Sequence, residues 1–306
     1  MIVKKLGKLI LVVILFSAVI YGIYWLWQRQ PKPVQNIQST TNQVQTSKPQ
    51  KAGFVQMPKD SQVLSSAKIE ISGKVDKDAY IVVISNSVSA IGKSEKSGEF
   101  KIPIELSGGL NLLDIQVFDN SLNTTGSEQK TVFVKEDEPL PQNFQVFAGS
   151  VKGILDNLIT LTTQTGEKSV KKEAKTNLIL PSPVLSKKPT PTPSESIRIG
   201  DFAIALGEVK DDVLSVHDLE IIRENKPQIT RKISIAKILT AAKANKFSAK
   251  QNDGNKILDF TLDKNSKIIK NGQGAKNTDI AKDLNAIIIY QDEDDERLVD
   301  LVYLLP

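Results

Sequence analysis

Beyond residue 68 the apolar residues of this 306-residue chain recur at every second position in short runs, and this period constrains the fold more than any other feature. Side chains two residues apart share one face of a β-strand, so each run can bury one face and leave the other to water. Ile69 and Ile71, then Phe100, Ile102 and Ile104, then Leu113, Ile115 and Val117 each form such a face. The runs KIEISGKV, YIVVIS, EFKIPIEL, LNLLDIQVFD and KTVFVK are separated by Asp-Lys-Asp, Ser-Gly and Gly-Gly turn signals. Short strands at this spacing predict an antiparallel β-sandwich over residues 54–136. DEPLPQ, residues 137–142, reads as a short linker.

Residues 143–306 hold two copies of one pattern, 143–226 and 227–306. Each reads as two strands, a Gly-bearing turn (Gly166, Gly254), a third strand ending in Thr/Ser-x-x-Ile (Thr176 to Ile179, Ser266 to Ile269), and two further strands. Two units of ~80 residues predict a duplicated small β-barrel. Gly200-Asp201 precedes the fourth strand of the first copy, and Asp283-Leu284-Asn285 stands there in the second. Ile235, Ile238, Leu239 and Ala242 also fit a helical period, but the repeat requires a strand, and the strand is the expectation adopted. Inside the first copy, residues 181–196 contain five Pro and six Ser/Thr. That composition precludes a core strand and predicts an exposed, disordered insertion. It is either a tolerated loop or a binding or O-glycosylation segment.

Leu9 to Trp27 is a stretch of 19 residues without a charge. As a helix rising ~1.5 Å per residue it would span about 28 Å, close to the ~30 Å hydrocarbon core of a bilayer. Tyr21, Tyr24, Trp25 and Trp27 crowd its exit, as amphipathic rings do at a membrane interface. Residues 9–27 therefore predict a transmembrane anchor, 1–8 a cytoplasmic basic flank carrying Lys4, Lys5 and Lys8, and the rest of the chain an extracytoplasmic location. A cleaved signal peptide is the competing reading, which would have a shorter apolar core and small residues at the exit. Residues 28–53, with seven Gln, three Pro and few apolar side chains, predict a disordered tether.

The net charge of +5 belongs to this leader: residues 1–53 carry +7 and no acid, which leaves −2 for the remainder. A near-neutral body argues against nucleic acid as a partner. The absence of Cys removes disulfides, thiolate metal sites and cysteine nucleophiles. His217 is the single His, and its neighbour Asp218 should point to the opposite face of a strand, so the two are expected not to meet. No nucleophile elbow, phosphate-binding loop or zinc-binding His pair occurs. Asp292, Asp294, Asp295 and Glu296 are the calcium candidates, in a run that lacks the glycine needed to fold a loop around an ion. A solvated hairpin turn that blocks edge pairing is the favoured alternative. Asp119, Asn120 and Asn123 raise the same choice between a cation site and an Asx turn. Both Trp lie in the anchor, and Tyr80 and Tyr290 lie in apolar strands, which argues against a carbohydrate platform.

Met57-Pro58-Lys59-Asp60, Ile69-x-Ile71-x-Gly73-x-Val75, Gly98-Glu99-Phe100, Leu110-Asn111-x-Leu113 and Asp119-Asn120 together resemble bacterial immunoglobulin-like surface modules of the glucodextranase B type. The glycine of that family's L-x-x-G-x-N strand is displaced by one, to Gly109. The resemblance implies an Ig-like sandwich used as a spacer, adhesin or enzyme accessory. The two repeats resemble OB-like small β-barrels of bacterial envelope proteins. The expectation is an all-β, non-catalytic, membrane-anchored envelope protein without a cofactor. It would act as an interaction, adhesion or spacer module among other envelope proteins. The alternative is an accessory subunit of a membrane-bound enzyme or secretion complex.

Overall fold

The computed structural model describes residues 54–136, 141, 143–181, 196–294 and 296–305. The expected flank, anchor and tether (1–53) lie outside the described residues, as do the linker apart from Pro141 and the 181–196 insertion apart from its two ends. Among the described residues no helix is long and apolar enough to cross a membrane. Their regular structure is β throughout, apart from one 3-10 turn at Asn277–Asp279.

Eight strands form the first body: β1 (Val55–Met57), β2 (Gln62–Leu64), β3 (Lys68–Lys74), β4 (Tyr80–Ser85), β5 (Ser89–Lys93), β6 (Glu99–Glu105), β7 (Gly109–Phe118) and β8 (Thr124–Val134). A three-stranded sheet, β1-β3-β6, faces the strands β2-β8-β7-β4-β5 of a larger sheet. Ile71, Phe100, Ile102 and Ile104 from the small sheet meet Ile81, Val83, Leu113, Ile115 and Val117 from the large one. These are the alternating faces of the sequence, now turned toward each other. Gly98 has φ +83, and a Cβ there would lie 2.2 Å from the Val75 carbonyl, so the turn before Phe100 requires glycine. Asn111 is fully buried and donates from Nδ2 to the Ser107 and Gly109 carbonyls at 2.7 and 3.1 Å, holding the 107–109 loop.

The second body comprises β9 (Phe144–Leu155), β10 (Leu158–Thr163), β11 (Gly166–Ile179), β12 (Phe202–Lys210) and β13 (Val213–Ile222). Around it the order is β9-β10-β11-β13-β12, and β12 pairs back onto β9, closing a five-stranded barrel in which only β11 and β13 run parallel. The third body comprises β14 (Lys232–Ile238), β15 (Lys246–Gln251), β16 (Ile257–Lys270), β17 (Gln273–Gly274), β18 (Asn285–Glu293) and β19 (Glu296–Leu304). Its closure is the same, with β14-β15-β16-β19-β18 in the ring and β17 a two-residue addition to β16. Residues 232–238 are thus a strand: Ala236 and Ile238 enter the barrel core at a spacing of two, and pairing stops after Ile238.

The duplication extends to irregular detail. In β11 pairing with β13 breaks between Lys172 and Asn177, and in β16 pairing with β19 breaks between Leu262 and Lys267. A hydroxyl stitches each excursion. Thr176 Oγ1 accepts from the Glu173 amide at 2.8 Å and donates to the Val216 carbonyl at 2.7 Å, and Ser266 Oγ does the same with Asp263 and Val299 at 2.8 and 2.6 Å. These are the Thr and Ser of the repeated Thr/Ser-x-x-Ile pattern.

Each barrel presents the outer face of its fourth strand to the sandwich. Ile204 and Leu206 of β12 pack against Leu110 and Leu112 of β7, while Ile287 and Ile289 of β18 pack with Tyr80, Val82 and Ile84 of β4. The tyrosine rings of Tyr80 and Tyr303 meet edge to face at 5.7 Å across this second contact. Strand β4 is consequently buried on both sides, which is why YIVVIS is apolar without alternation. Strand β2 continues the joint by pairing with β8 and, through Gln62, with Gln145 of β9, so one ten-stranded sheet runs from the sandwich into the first barrel.

Arg231 fastens the second barrel. Its Nε donates to Asp300 Oδ2 at 2.7 Å, and its Nη1 and Nη2 donate to the Ser85 and Ser87 carbonyls at 2.9 and 3.1 Å. Ser89 Oγ donates to the same Asp300 oxygen. Docked bodies that share apolar surface should unfold together. Ile289→Ala is expected to cost about 2–4 kcal/mol and to lower a single calorimetric transition of the whole 54–305 region. Separate transitions, with only one of them shifted, would show that the bodies are energetically independent.

Candidate functional site

The first barrel and the connection that leads from it to the second do not close fully on the sandwich sheet. A cleft of about 510 Å³ lies where the sheet face, the first barrel and the inter-barrel connection meet. The sheet contributes Leu112 and Asp114, the barrel Ala148 and Phe202, and the connection Ile229 and Arg231. Gly149 also lines it, and a Cβ on that residue would lie 2.2 Å from the Thr162 carbonyl, so glycine is required for the close approach of β10.

Asp114 is the unusual group here. Its Oδ2 accepts from Gln116 Nε2 at 3.0 Å, whereas its Oδ1 is buried and has no hydrogen-bond partner. Burial pushes the carboxyl above its ordinary range, outweighing the hydrogen bonds from Gln116 and Ser127 that would lower it. Arg231 lines the same cleft, but its guanidinium is committed to Asp300 and two carbonyls. The sequence contains the signal for Asp114, the lone acid of LNLLDIQVF, at an outward position two residues before the polar Gln116. Periodicity alone assigns that position to solvent, so the residue is legible as a site only after the barrels are placed.

A second cleft, of about 400 Å³, lies between the sandwich and the first barrel near Asp218. His217 Nδ1 lies 3.2 Å from Asp218 Oδ2, contrary to the expectation that the two side chains diverge. The cause is a β-bulge: Gly207 pairs with Val216 and Leu206 with Asp218, so His217 is an extra residue and strict alternation fails there. The core residues Leu214, Val216, Leu219 and Ile221 carry this slip in their spacing, with a step of three in a series of twos. His217 remains 63% exposed. Asp218 is raised by burial, but Asn177 at 3.0 Å, His217 and Lys135 outweigh this and hold it below the usual carboxylate range. Every oxygen of Asp218 is thus accounted for.

The remaining acids are engaged locally. Asp292 pairs with Lys232, with Arg297 at 3.7 Å, and Glu296 pairs with Lys246 at 2.9 Å. These two calcium candidates therefore hold lysines on different strands, β14 and β15. Asp294 is a turn residue with φ 44, and Asp295 lies outside the described residues. No group of three or more acids or His among the described residues is arranged to hold a metal. Asp119 closes the 119–123 turn from within: its Oδ1 accepts from the Asn123 amide at 2.9 Å and its Oδ2 from Asn123 Nδ2 at 3.1 Å. The main-chain bond from Asn123, then its side chain, keeps Asp119 below the ordinary range. Tyr80, Tyr290 and Tyr303 are all buried.

No family model matches the chain, and no curated protein matches it. Among solved structures it is similar to Drosophila Unr CSD456 at 11% identity, over 76% of this chain and 99% of that one, with a TM-score of 0.21. It is also similar to a structure concerned with host cell surface retention of a 1.5-MDa bacterial ice-binding adhesin, at 9% identity over 80% and 94% of the two chains, with a TM-score of 0.19. At such scores neither likeness bears on fold or function.

Two measurements test this picture. The folded state raises the Asp114 pKa above its unfolded value, so protonation favours folding. That contribution is fully present below the unfolded value and is lost as pH rises through the folded one. Asp114→Asn should therefore raise stability at neutral pH by roughly 1 kcal/mol and change it little below about pH 3. For the acid run, calcium at about 1–5 mM should shift the thermal midpoint by less than about 1 °C, because Asp292 and Glu296 would have to abandon their lysines. A larger rise, lost on Asp294→Asn, would make the turn a calcium site.

Proposed function

We propose that the chain is a non-catalytic, membrane-anchored interaction module of a bacterial envelope, with its folded bodies held outside the membrane. The observation that carries this reading is the docking of both barrels on the outer face of one sandwich sheet. Strings of spacers need no such contact, because a spacer works by length alone. A shared apolar interface, a continuous sheet and the Arg231 staple instead keep the bodies at set angles and maintain clefts between them. That arrangement serves recognition.

The sandwich is read as Ig-like on the residues named above, and the barrels as OB-like because their closed order, with third and fifth strands parallel, is that of OB-type barrels. The charge-free 9–27 segment and its basic flank support an anchor with the remainder extracytoplasmic. Partners are accordingly other envelope components, and the −2 charge outside the leader speaks against nucleic acid. Expressed in a bacterial host, the full chain should stay with membranes through an alkaline carbonate wash and lose its folded region to protease added outside spheroplasts. Deletion of residues 1–27 should release it. Protection of the folded region, or full-length chain in the soluble fraction, would overturn the reading.

A further inference from the structure

We propose that the 510 Å³ cleft between the sheet face and the first barrel binds an alkyl cation, an ammonium or guanidinium on an apolar stem, with Asp114 as its counter-ion. The inference rests on reading the docked bodies as an interaction module and names the chemistry that module recognises. A carboxylate offers about four acceptor positions, and Asp114 Oδ1 uses none of its own. A buried polar atom left unpaired costs free energy, and no cation among the described residues pairs with this one. Arg231, the basic group nearest in the cleft lining, is already neutralised by Asp300 and saturated by Ser85 and Ser87. Asp114 is therefore the one ionisable group of the lining without an ion-pair partner among the described residues.

The surroundings suit the stem as well as the head group. Leu112, Ala148, Phe202 and Ile229 supply apolar contact, and the volume lies within the ~300–1,000 Å³ typical of small-ligand sites. Oδ1 is closed to solvent as the side chain stands; the χ2 well of aspartate is broad, so a partial turn of the carboxylate presents it to an incoming donor, whereas a half-turn would only exchange the two oxygens. An anion is disfavoured by the same carboxylate. The cation could come from a free polyamine or from a Lys or Arg side chain of a partner, and these are separable by experiment.

Isothermal titration of the full chain in detergent with cadaverine, with acetyl-Gly-Lys-Gly-amide and acetyl-Gly-Arg-Gly-amide, and with neutral 1,5-pentanediol provides the test. At least one cation should bind while the diol does not, and Asp114→Asn should weaken that binding at least about 10-fold while melting no lower than the parent. Binding of cadaverine points to a free polyamine, and binding of the peptides alone points to a partner's side chain. No binding by any cation, equal binding by the diol, or binding unchanged in the variant would overturn the proposal. Asp114→Leu serves the same purpose if the amide variant does not fold. The outcome is independent of the protease assay above, so a failed cation site leaves the membrane reading standing, and the reverse also holds.

Discussion

Everything else in this structure depends on the outer face of the sandwich's larger sheet being apolar. A sandwich needs only its inner faces to be hydrophobic, and an outward row of Tyr80, Val82, Ile84, Leu110 and Leu112 would expose a contiguous apolar patch to water. Covering that row is worth on the order of 1.5–3 kcal/mol for each large side chain fully removed from water. The two barrels supply the cover, and the cleft, the Arg231 staple and the continuous ten-stranded sheet all follow from where they sit.

The two bodies on this surface share one strand order and one docking face. Both barrels use the same face, Ile204 and Leu206 in one and Ile287 and Ile289 in the other, and they dock on neighbouring strips of the sheet. The copies diverge where their surroundings differ. Each last strand carries a bulged residue, His217 in the first barrel and Asp300 in the second, since Ile289 pairs with Leu301 and Tyr290 with Val299. The residue at the equivalent place near the start of each barrel touches it, Phe144 against His217 through their rings at 5.7 Å and Arg231 against Asp300 through an ion pair. One backbone device thus serves an exposed contact in one copy and a half-buried fastening in the other.

The fastening also bears on the cleft. Holding Arg231 on three acceptors takes a guanidinium out of competition for Asp114, although both line the same space. A fold selected for stability alone would place an apolar side chain at residue 114, two residues along the strand from Leu112 on the same outward face. A carboxylate with an unpaired oxygen there is the type of local cost that accompanies binding sites.

The strands, their inward faces, the twofold repeat and the hydroxyls at Thr176 and Ser266 are legible before folding, because they follow from side-chain period and from local turn chemistry. The sequence also contained the bulge at His217, as a step of three among core positions, though not the contact with Asp218 that the bulge produces. Which outward faces meet is set by long-range packing. An uninterrupted apolar strand such as β4 says that both sides are covered but not by what, since burial is non-directional and its partners lie more than 200 residues away, as in Tyr80 with Tyr303. The cleft exists only between bodies brought together by those contacts, and Asp114, which reads as a solvent-facing acid in its own strand, becomes half-buried, with Oδ1 closed to solvent, in the folded protein.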